Sequence, residues 1–183
     1  MHGDGVLQVT LNRPDVGNAI NTRMGQELLD LWLRLTDDAQ GLRAVVLTGA
    51  GGKIFCAGGD LKERNGMTKQ QWVAQHELFE RAYWTLVEVP VPIIAAINGH
   101  AYAGGLETAL VCHYRIAVPS TMLGVPEVKL GLLPGAGGTQ RLPRIVGVEV
   151  AATMVSSGDP LPASKAKELG LVDALAGEAT LAE

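Results

Sequence analysis

The chain has 183 residues and a net charge of −4, with 47% hydrophobic and 19% charged residues. This composition is typical of a globular protein with one sizeable core, so we expect a single domain over residues 1–183. The acidic balance, the lack of a basic stripe and the few aromatic residues argue against nucleic acid as a partner. The apolar runs are too short to cross a bilayer and the N-terminus lacks a signal-peptide pattern, so we expect no membrane partner and a cytoplasmic protein.

The two cysteines, Cys56 and Cys112, support the same assignment. Two thiols by themselves form neither a disulfide framework nor a metal site. We therefore expect both to be reduced, as is usual in the cytoplasm, and we expect no bound metal.

Strand and helix patterns alternate from the start of the chain. Residues 6–11 alternate apolar and polar side chains, which predicts a strand. Apolar side chains at helical spacing predict a helix from about Thr22, whose hydroxyl can cap it. Residues 43–49 form a nearly continuous apolar run, typical of a strand that is covered on both faces. A second helix is predicted over residues 68–88.

The alternation continues through the second half. Residues 92–99 predict a buried strand that ends in an Asn-Gly turn, a glycine-led helix follows, and residues 114–118 predict another strand. The region from residue 136 onward is predicted to be mostly helical, and three glycines are the predicted helix stops: Gly147, Gly158 and Gly170. Alternation of this kind implies crossover connections and helices that cover a sheet, so the fold class is α/β.

The stretch AYAGGLETAL (101–110) combines two features that are costly in a helix. Gly104 and Gly105 weaken a helix interior, and Glu107 stands alone in an apolar run. A glycine turn between a strand and a helix leaves backbone N–H groups unpaired, adds the positive end of the helix dipole and lets a ligand approach closely. Such amides can stabilise an oxyanion. The alternative is that the glycines only permit tight packing of the helix on the sheet.

A second glycine turn lies in residues 54–64, where Gly58 and Gly59 follow a strand-like segment. A free amide at Gly59 could meet that of the first turn across a pocket. The alternative is an ordinary loop in which Asp60 caps a helix, and we expect Asp60 to be such a cap.

A second isolated carboxylate, Glu127, follows a proline among apolar residues. Two carboxylates in apolar settings can hold different protonation states, one acting as acid and the other as base. The alternative is a solvated turn residue. The adjoining PGAGGTQR segment (134–141) lacks the Gly-Lys-Ser/Thr of a phosphate loop, which disfavours nucleotide phosphate binding.

Several motifs in order give the chain its strongest resemblance. It resembles the crotonase superfamily, the enoyl-CoA hydratase/isomerase family, over about residues 5–175. The motifs that carry the resemblance are LNRP (11–14), NAI (18–20), FCAGGDLKE (55–63), AAINGHAYAGGLE (95–107), GVPEVKLGLLPGAGGTQRLPR (124–144) and AKELGLVD (166–173).

The resemblance implies a ββα spiral core, assembly as trimers or hexamers, and acyl-CoA thioesters as substrates. By motif position, the amides of Gly59 and Gly104 would hold the thioester oxygen. Glu107 would deprotonate a water for attack at C3 of a 2-enoyl-CoA, and Glu127 would protonate C2. The product would be a 3-hydroxyacyl-CoA, as in fatty-acid β-oxidation.

The family also implies that backbone groups at Ala57, Gly59 and Leu61 contact the adenine end of CoA. No cofactor is implied, because CoA is part of the substrate. Two alternatives remain open: a double-bond isomerase, which needs only one acid–base carboxylate, and a truncated member that only binds acyl-CoA. The family's C-terminal helices, which close the pocket and support the trimer, would follow Glu183, so we expect the chain to be a fragment or part of a longer protein.

Overall fold

A computed structural model describes residues 4–177, in which strands and helices alternate. The strands are β1 (Val6–Leu11), β2 (Ala44–Gly49), β3 (Ile54–Cys56), β4 (Ile93–Ile97), β5 (His100–Tyr102), β6 (Tyr114–Ala117), β7 (Met122–Gly124), β8 (Leu161–Pro162) and β9 (Ala174–Leu175). The α-helices are α1 (Thr22–Asp37), α2 (Leu61–Asn65), α3 (Lys69–Glu88), α4 (Gly104–Val111), α5 (Gly138–Val146), α6 (Val148–Ser157) and α7 (Ala163–Glu168). Two short 3-10 helices span Pro14–Val16 and Pro126–Leu130.

Successive strands are distributed between two sheets. The first sheet has the order β1-β2-β4-β6-β9 and is parallel throughout. The second has the order β3-β5-β7-β8, with only the β7–β8 pair antiparallel. From β2 to β7 the chain visits the two sheets in turn and returns through helices, so each turn of the coil adds a strand to both sheets. The α/β class and the ββα spiral core predicted from the sequence are therefore confirmed.

The buried apolar runs become the central strands. Strand β2 is hydrogen-bonded to β1 on one side and to β4 on the other, and its Val45 and Leu47 are completely buried. The alternate residues of β2 are half-buried, so one face is fully covered and the other is partly covered, which explains why this segment is nearly all apolar. The strands predicted around residues 6–11, 43–49, 92–99 and 114–118 are confirmed.

Helix α1 begins at Thr22 as predicted, but its N-cap is not the predicted residue. The N-cap is Asn21, whose side chain accepts a hydrogen bond from the N–H of Met24 at 3.0 Å. The prediction that Thr22 caps the helix is wrong, because its hydroxyl accepts a hydrogen bond from Gln75 instead. Asparagine is a somewhat better N-cap than threonine, so the capping preference of the two residues agrees with the observed N-cap.

The other helix predictions are largely confirmed. Thr68 forms a capping box with Gln71 at the start of α3, as the pattern over residues 68–88 implies. The region after residue 136 contains α5, α6 and α7, with Gly147 and Gly158 as C-caps and Gly170 just beyond α7. It also contains the two-residue strands β8 and β9, which are too short to give a period-2 signal.

Neighbouring parallel strands bring the two glycine turns together. In the second sheet β3 and β5 are parallel partners, with Cys56 opposite Ala101. The Gly58–Gly59 turn follows β3, and α4 follows β5, so both leave the same edge of the sheet.

Among residues 4–177, no helix is both long and apolar enough to span a membrane. Cys56 and Cys112 are buried free thiols, as predicted.

Candidate active site

A cavity of about 770 Å³ opens at the edge of the second sheet where the two glycine turns meet. All the residues predicted for the site line this cavity: Ala57, Gly59, Leu61, Gly104, Glu107 and Glu127. These residues come from three separate segments of the sequence, and the spiral brings them to one place.

The amides of Gly59 and Gly104 lie close together. A Cβ placed on Gly104 would lie 3.7 Å from the nitrogen of Gly59. Within the described part of the chain, neither N–H has a hydrogen-bond acceptor. Gly104 is also the first residue of α4, where the helix dipole places positive potential. The pair can donate two hydrogen bonds to one oxygen atom that gains negative charge.

The two glycines at the start of α4, Gly104 and Gly105, have different roles. A Cβ on Gly105 would lie 2.1 Å from the carbonyl oxygen of Cys56, so this glycine is required by the packing of α4 on β3. A Cβ on Gly104 would meet only ordinary contacts of 3.5 Å or more. The packing interpretation therefore holds for Gly105 but does not account for Gly104, which leaves its amide accessible from the cavity.

The backbone just before α4 is strained. Ala103, the N-cap residue, has φ 51° and ψ −130°, a conformation that normally requires glycine. Strain of this kind costs about 1–3 kcal/mol and is concentrated at functional sites. Gly58, at φ 94°, packs directly against this turn, and a Cβ on it would lie 2.9 Å from the nitrogen of Gly104.

Tyr83 contacts the carbonyl side of Gly104 from α3. Its hydroxyl donates a hydrogen bond to the carbonyl oxygen of Gly104 at 3.0 Å and lies 3.0 Å from the hydroxyl oxygen of Thr108. Burial raises the pKa of the Tyr83 hydroxyl, so this group remains a neutral donor.

Glu107 is buried and held by backbone amides. Its side chain packs against the loop before α5. There Oε1 accepts hydrogen bonds from the N–H of Ala136 at 2.8 Å and from the N–H of Gly138 at 2.7 Å. Burial raises the pKa of this carboxyl, whereas the two amides and the nearby charge of Arg141 act to lower it. The amides bind the ionised form, which suits a base.

Glu127 has a different environment. It lies in the Pro126–Leu130 turn and is only 7% exposed, so the interpretation as a solvated turn residue is wrong. Among residues 4–177, its buried Oε2 has no hydrogen-bond partner. Burial, together with the charge of Glu107, raises the pKa of Glu127 to about 7, despite an opposing contact with its own backbone N–H. A carboxyl with this pKa is protonated in a large fraction of the molecules near neutral pH and can act as an acid.

Asp60 lies beside the site and has a structural role. Its side chain accepts hydrogen bonds from the N–H groups of Lys62 and Glu63, which caps α2 as predicted. A hydrogen bond from Arg13 lowers the pKa of Asp60 and, with the cap contacts, keeps it ionised. Asp60 therefore fixes the segment that follows Gly59.

Sequence reasoning missed three contributors to the site: the Ala136 and Gly138 amides that hold Glu107, and Arg64, which lines the cavity. The signal for the amides was present in the glycines of residues 134–138, which were considered as a phosphate loop and as part of a family motif but were given no role in holding Glu107. Arg64 gave no distinct signal. No group of three or more potential metal-ligating side chains was found in the part of the chain that the structure describes.

A two-sheet ββα spiral with this edge cavity defines a crotonase-type protein. The sequence profile of the enoyl-CoA hydratase/isomerase family matches residues 2–183, and the chain belongs to this family, within the crotonase superfamily. The crystal structure of enoyl-CoA hydratase from Bacillus anthracis is 40% identical and superposes with a TM-score of 0.95, covering 100% of this chain and 70% of that one.

Two relatives illustrate the range of the family. YngF of Bacillus subtilis, named as an enoyl-CoA hydratase/isomerase, is 45% identical over 165 residues, covering 90% of this chain and 63% of that protein. The fatty acid oxidation complex subunit alpha of Shewanella loihica is 38% identical over 186 residues, covering 97% of this chain and 26% of that protein. This chain thus spans less than two thirds of the length of YngF.

Proposed function

We propose that this chain carries the catalytic centre for adding water to a 2-enoyl-CoA, giving a 3-hydroxyacyl-CoA. The observation that supports the proposal most directly is the meeting of two amides without acceptors, Gly59 and Gly104, with two buried carboxylates, Glu107 and Glu127, on the wall of one cavity. The two carboxylates favour hydration over isomerisation, because isomerisation needs only one acid–base group.

The amides would stabilise the charge that develops on the substrate. As a nucleophile adds to C3 of a conjugated thioester, electrons move through C2 to the carbonyl oxygen. Two N–H donors aimed at that oxygen lower the barrier, and one such donor contributes about 3–4 kcal/mol in other enzymes. The strained turn at Ala103 sets the peptide group that carries the Gly104 N–H, and the bond from Tyr83 holds the carbonyl group of the same residue.

The carboxylates would complete the addition. Ionised Glu107 takes a proton from water as the water oxygen bonds to C3, and protonated Glu127 gives its proton to C2. The C2–C3 double bond becomes a single bond as one C–O and one C–H bond form, and at the end Glu107 has gained the proton from water and Glu127 has lost its proton to C2. Exchange with solvent resets both groups, and no metal or redox cofactor takes part.

The CoA portion would lie along the loop after β3. The N–H of Ala57 already donates to Gly17, but its carbonyl oxygen accepts no hydrogen bond from residues 4–177 and can receive one from the adenine amino group. Gly59 and the half-exposed Leu61 continue the same wall. This arrangement supports the assignment of all three residues to CoA binding.

Assembly and location are part of the proposal. Leu132, Leu133 and Val148 are large apolar side chains that are 48–75% exposed. Their burial between protomers, in a homotrimer or hexamer completed by further chain segments, would remove this apolar surface from water. Two buried free thiols are compatible with a reducing cytoplasm.

The test compares three activities of the same preparation. Water addition to a 2-enoyl-CoA is followed by loss of the conjugated absorbance, and migration of a 3-enoyl double bond is followed by its gain. Calorimetry measures acyl-CoA binding. Hydration supports the proposal, migration without hydration selects the isomerase, and binding without turnover selects an acyl-CoA-binding role. No binding of any CoA ester would refute the assignment.

A further inference from the structure

Arg64 is held rigidly at the wall of the active-site cavity. It lies on α2, is half-buried, and its Nε donates a hydrogen bond to Oε1 of Gln75 at 2.9 Å. Gln75 is itself buried, and its Nε2 donates at 2.8 Å to both Thr22 Oγ1 and Glu63 Oε2. Because both amide protons of Gln75 are engaged, its oxygen must face Arg64, and the guanidinium is fixed by a chain of buried contacts.

The guanidinium also lies next to the oxyanion amides. Its Cζ stands 5.5 Å from the ring centroid of Phe79, and a Cβ on Gly59 would lie only 3.2 Å from that Cζ. The absence of a side chain at Gly59 therefore leaves room for Arg64. This position is beside the amide that would hold the thioester oxygen, on the α2–α3 side of the cavity.

Arg64 differs from the other arginines around the site in its partners. Arg13 pairs with Asp60, Nη1 of Arg141 donates to the carbonyl oxygen of Ala136, and Nη1 of Arg144 donates to Gln140. Within residues 4–177, neither terminal nitrogen of Arg64 has an acceptor, and no carboxylate lies within ion-pair distance of it. A half-buried cation whose terminal donors face a cavity is placed to bind an anionic group of a ligand that enters the cavity and displaces water from it.

We propose that the acyl group bound here is short and ends in a carboxylate, which Arg64 binds. This inference rests on the proposed function and names its substrate class. A guanidinium presents paired N–H groups that match the two oxygens of a carboxylate. A purely hydrocarbon chain would displace water from Arg64 and leave its donors unsatisfied. Since Arg64 stands beside Gly59, the carboxylate is only a few carbons from the thioester carbonyl.

A CoA phosphate is the other anion that could reach this cavity, and the experiment separates the two. The probes are the mono-CoA thioester of pent-2-enedioic acid, pent-2-enoyl-CoA with the same carbon number, and free CoA. Affinities are measured by calorimetry and kcat/KM by hydration. We expect the carboxylated ester to be preferred by about 10- to 100-fold, the range for a hydrogen bond to a charged group.

The variants locate the source of that preference. Arg64→Met should remove the preference while affinity for free CoA stays unchanged, and Arg64→Lys should retain part of it. Lys62→Met is the matched control: it removes one positive charge from the same helix at an exposed residue outside the cavity wall, and it should keep the preference. Thermal unfolding of each variant verifies that it is folded, and the Lys variant serves if the Met variant is not.

The outcomes are separable from those of the proposed function. Equal kcat/KM and affinity for the two esters, with hydration present, would overturn the inference alone. Weakened binding of free CoA by Arg64→Met would assign Arg64 to a phosphate and also overturn it. Hydration of neither ester, with binding retained and still selective, would refute the proposed function and leave the assignment of Arg64 standing.

Discussion

Oε1 of Glu107 accepts a hydrogen bond from the backbone N–H of Gly138 at 2.7 Å, across 31 residues of sequence. The contact leaves no room for a side chain, because a Cβ at Gly138 would lie 2.8 Å from the same oxygen. The start of α5 therefore sets the position of the proposed base, and the glycine is required by this close approach.

Gly138→Ala should lower kcat/KM for hydration by at least about 10-fold, because a shift of the carboxylate on the ångström scale disrupts a reacting geometry. The matched control is Gly135→Ala in the same loop, where the nearest atom to a Cβ lies 3.9 Å away. Steady-state hydration rates of both variants test this. Equal rates for Gly138→Ala and Gly135→Ala would show that the contact does not position Glu107.

Glu107→Gln and Glu127→Gln should each reduce hydration by at least about 10²-fold, the usual scale for loss of an acid–base group. The double variant should be far less than multiplicatively worse, because both groups act in one passage. Affinity for the substrate should change little, since backbone amides hold the thioester. Near-normal hydration by Glu127→Gln would contradict the two-carboxylate assignment. Migration of the double bond that survives Glu107→Gln but is abolished by Glu127→Gln would also contradict it.

Stability should fall as pH rises from about 4.5 to about 7. Burial raises the pKa of Glu127 from 4.5 to about 7, so between these values the folded chain binds more protons than the unfolded chain. The free energy of unfolding then decreases with pH over this window and levels off above it. The pKa of Glu107 is also raised, which adds to the same trend.

Denaturant titrations at pH 5 and pH 8 measure this difference. Glu127→Gln, which cannot ionise, should lose less stability than the parent chain between the two pH values. A loss as large as that of the parent chain would show that Glu127 is not the group responsible.

Ala103→Gly should stabilise the protein, or at least leave it unchanged, because glycine adopts φ 51° and ψ −130° without strain. Relief of about 1–3 kcal/mol exceeds the roughly 0.5–1 kcal/mol that glycine costs through the unfolded chain. Ala101→Gly, in the buried strand β5, is the control and should destabilise. Chemical denaturation measures both changes, and a clear loss of stability in Ala103→Gly would show that the turn is unstrained.

Local patterns in the sequence were sufficient to predict the central strands. Strands β2 and β4 lie inside the first sheet and are visible in the sequence as apolar runs, whereas β3, β5 and β7 have three residues each and carry no usable period. The alternation between two sheets could be expected only from the family resemblance, because pairing depends on contacts between distant segments.

In the candidate site, too, local residue patterns could be recognised in the sequence, whereas contacts between distant segments could not. The glycines at 59 and 104 and the carboxylates at 107 and 127 were marked by residue types that packing alone disfavours. The contact between Glu107 and Gly138 joins two distant segments, and the contact of Arg64 with Gln75 depends on how α2 meets α3. Neither arises from a spacing along the chain, so neither could be predicted from one sequence.

The all-parallel first sheet has a consequence for how the chain reaches its native state. Each strand pairs with one from another turn of the coil, as Val45 does with Ile93 and Ile116 with Ala174, so little of the sheet is closed by local hairpins. Contact order is consequently high. The chain must lose conformational entropy to close long loops before the strand pairs that compensate for this loss can form. Folding should be slow for a protein of this size, and unpaired edges of incomplete coils expose the chain to aggregation during that interval.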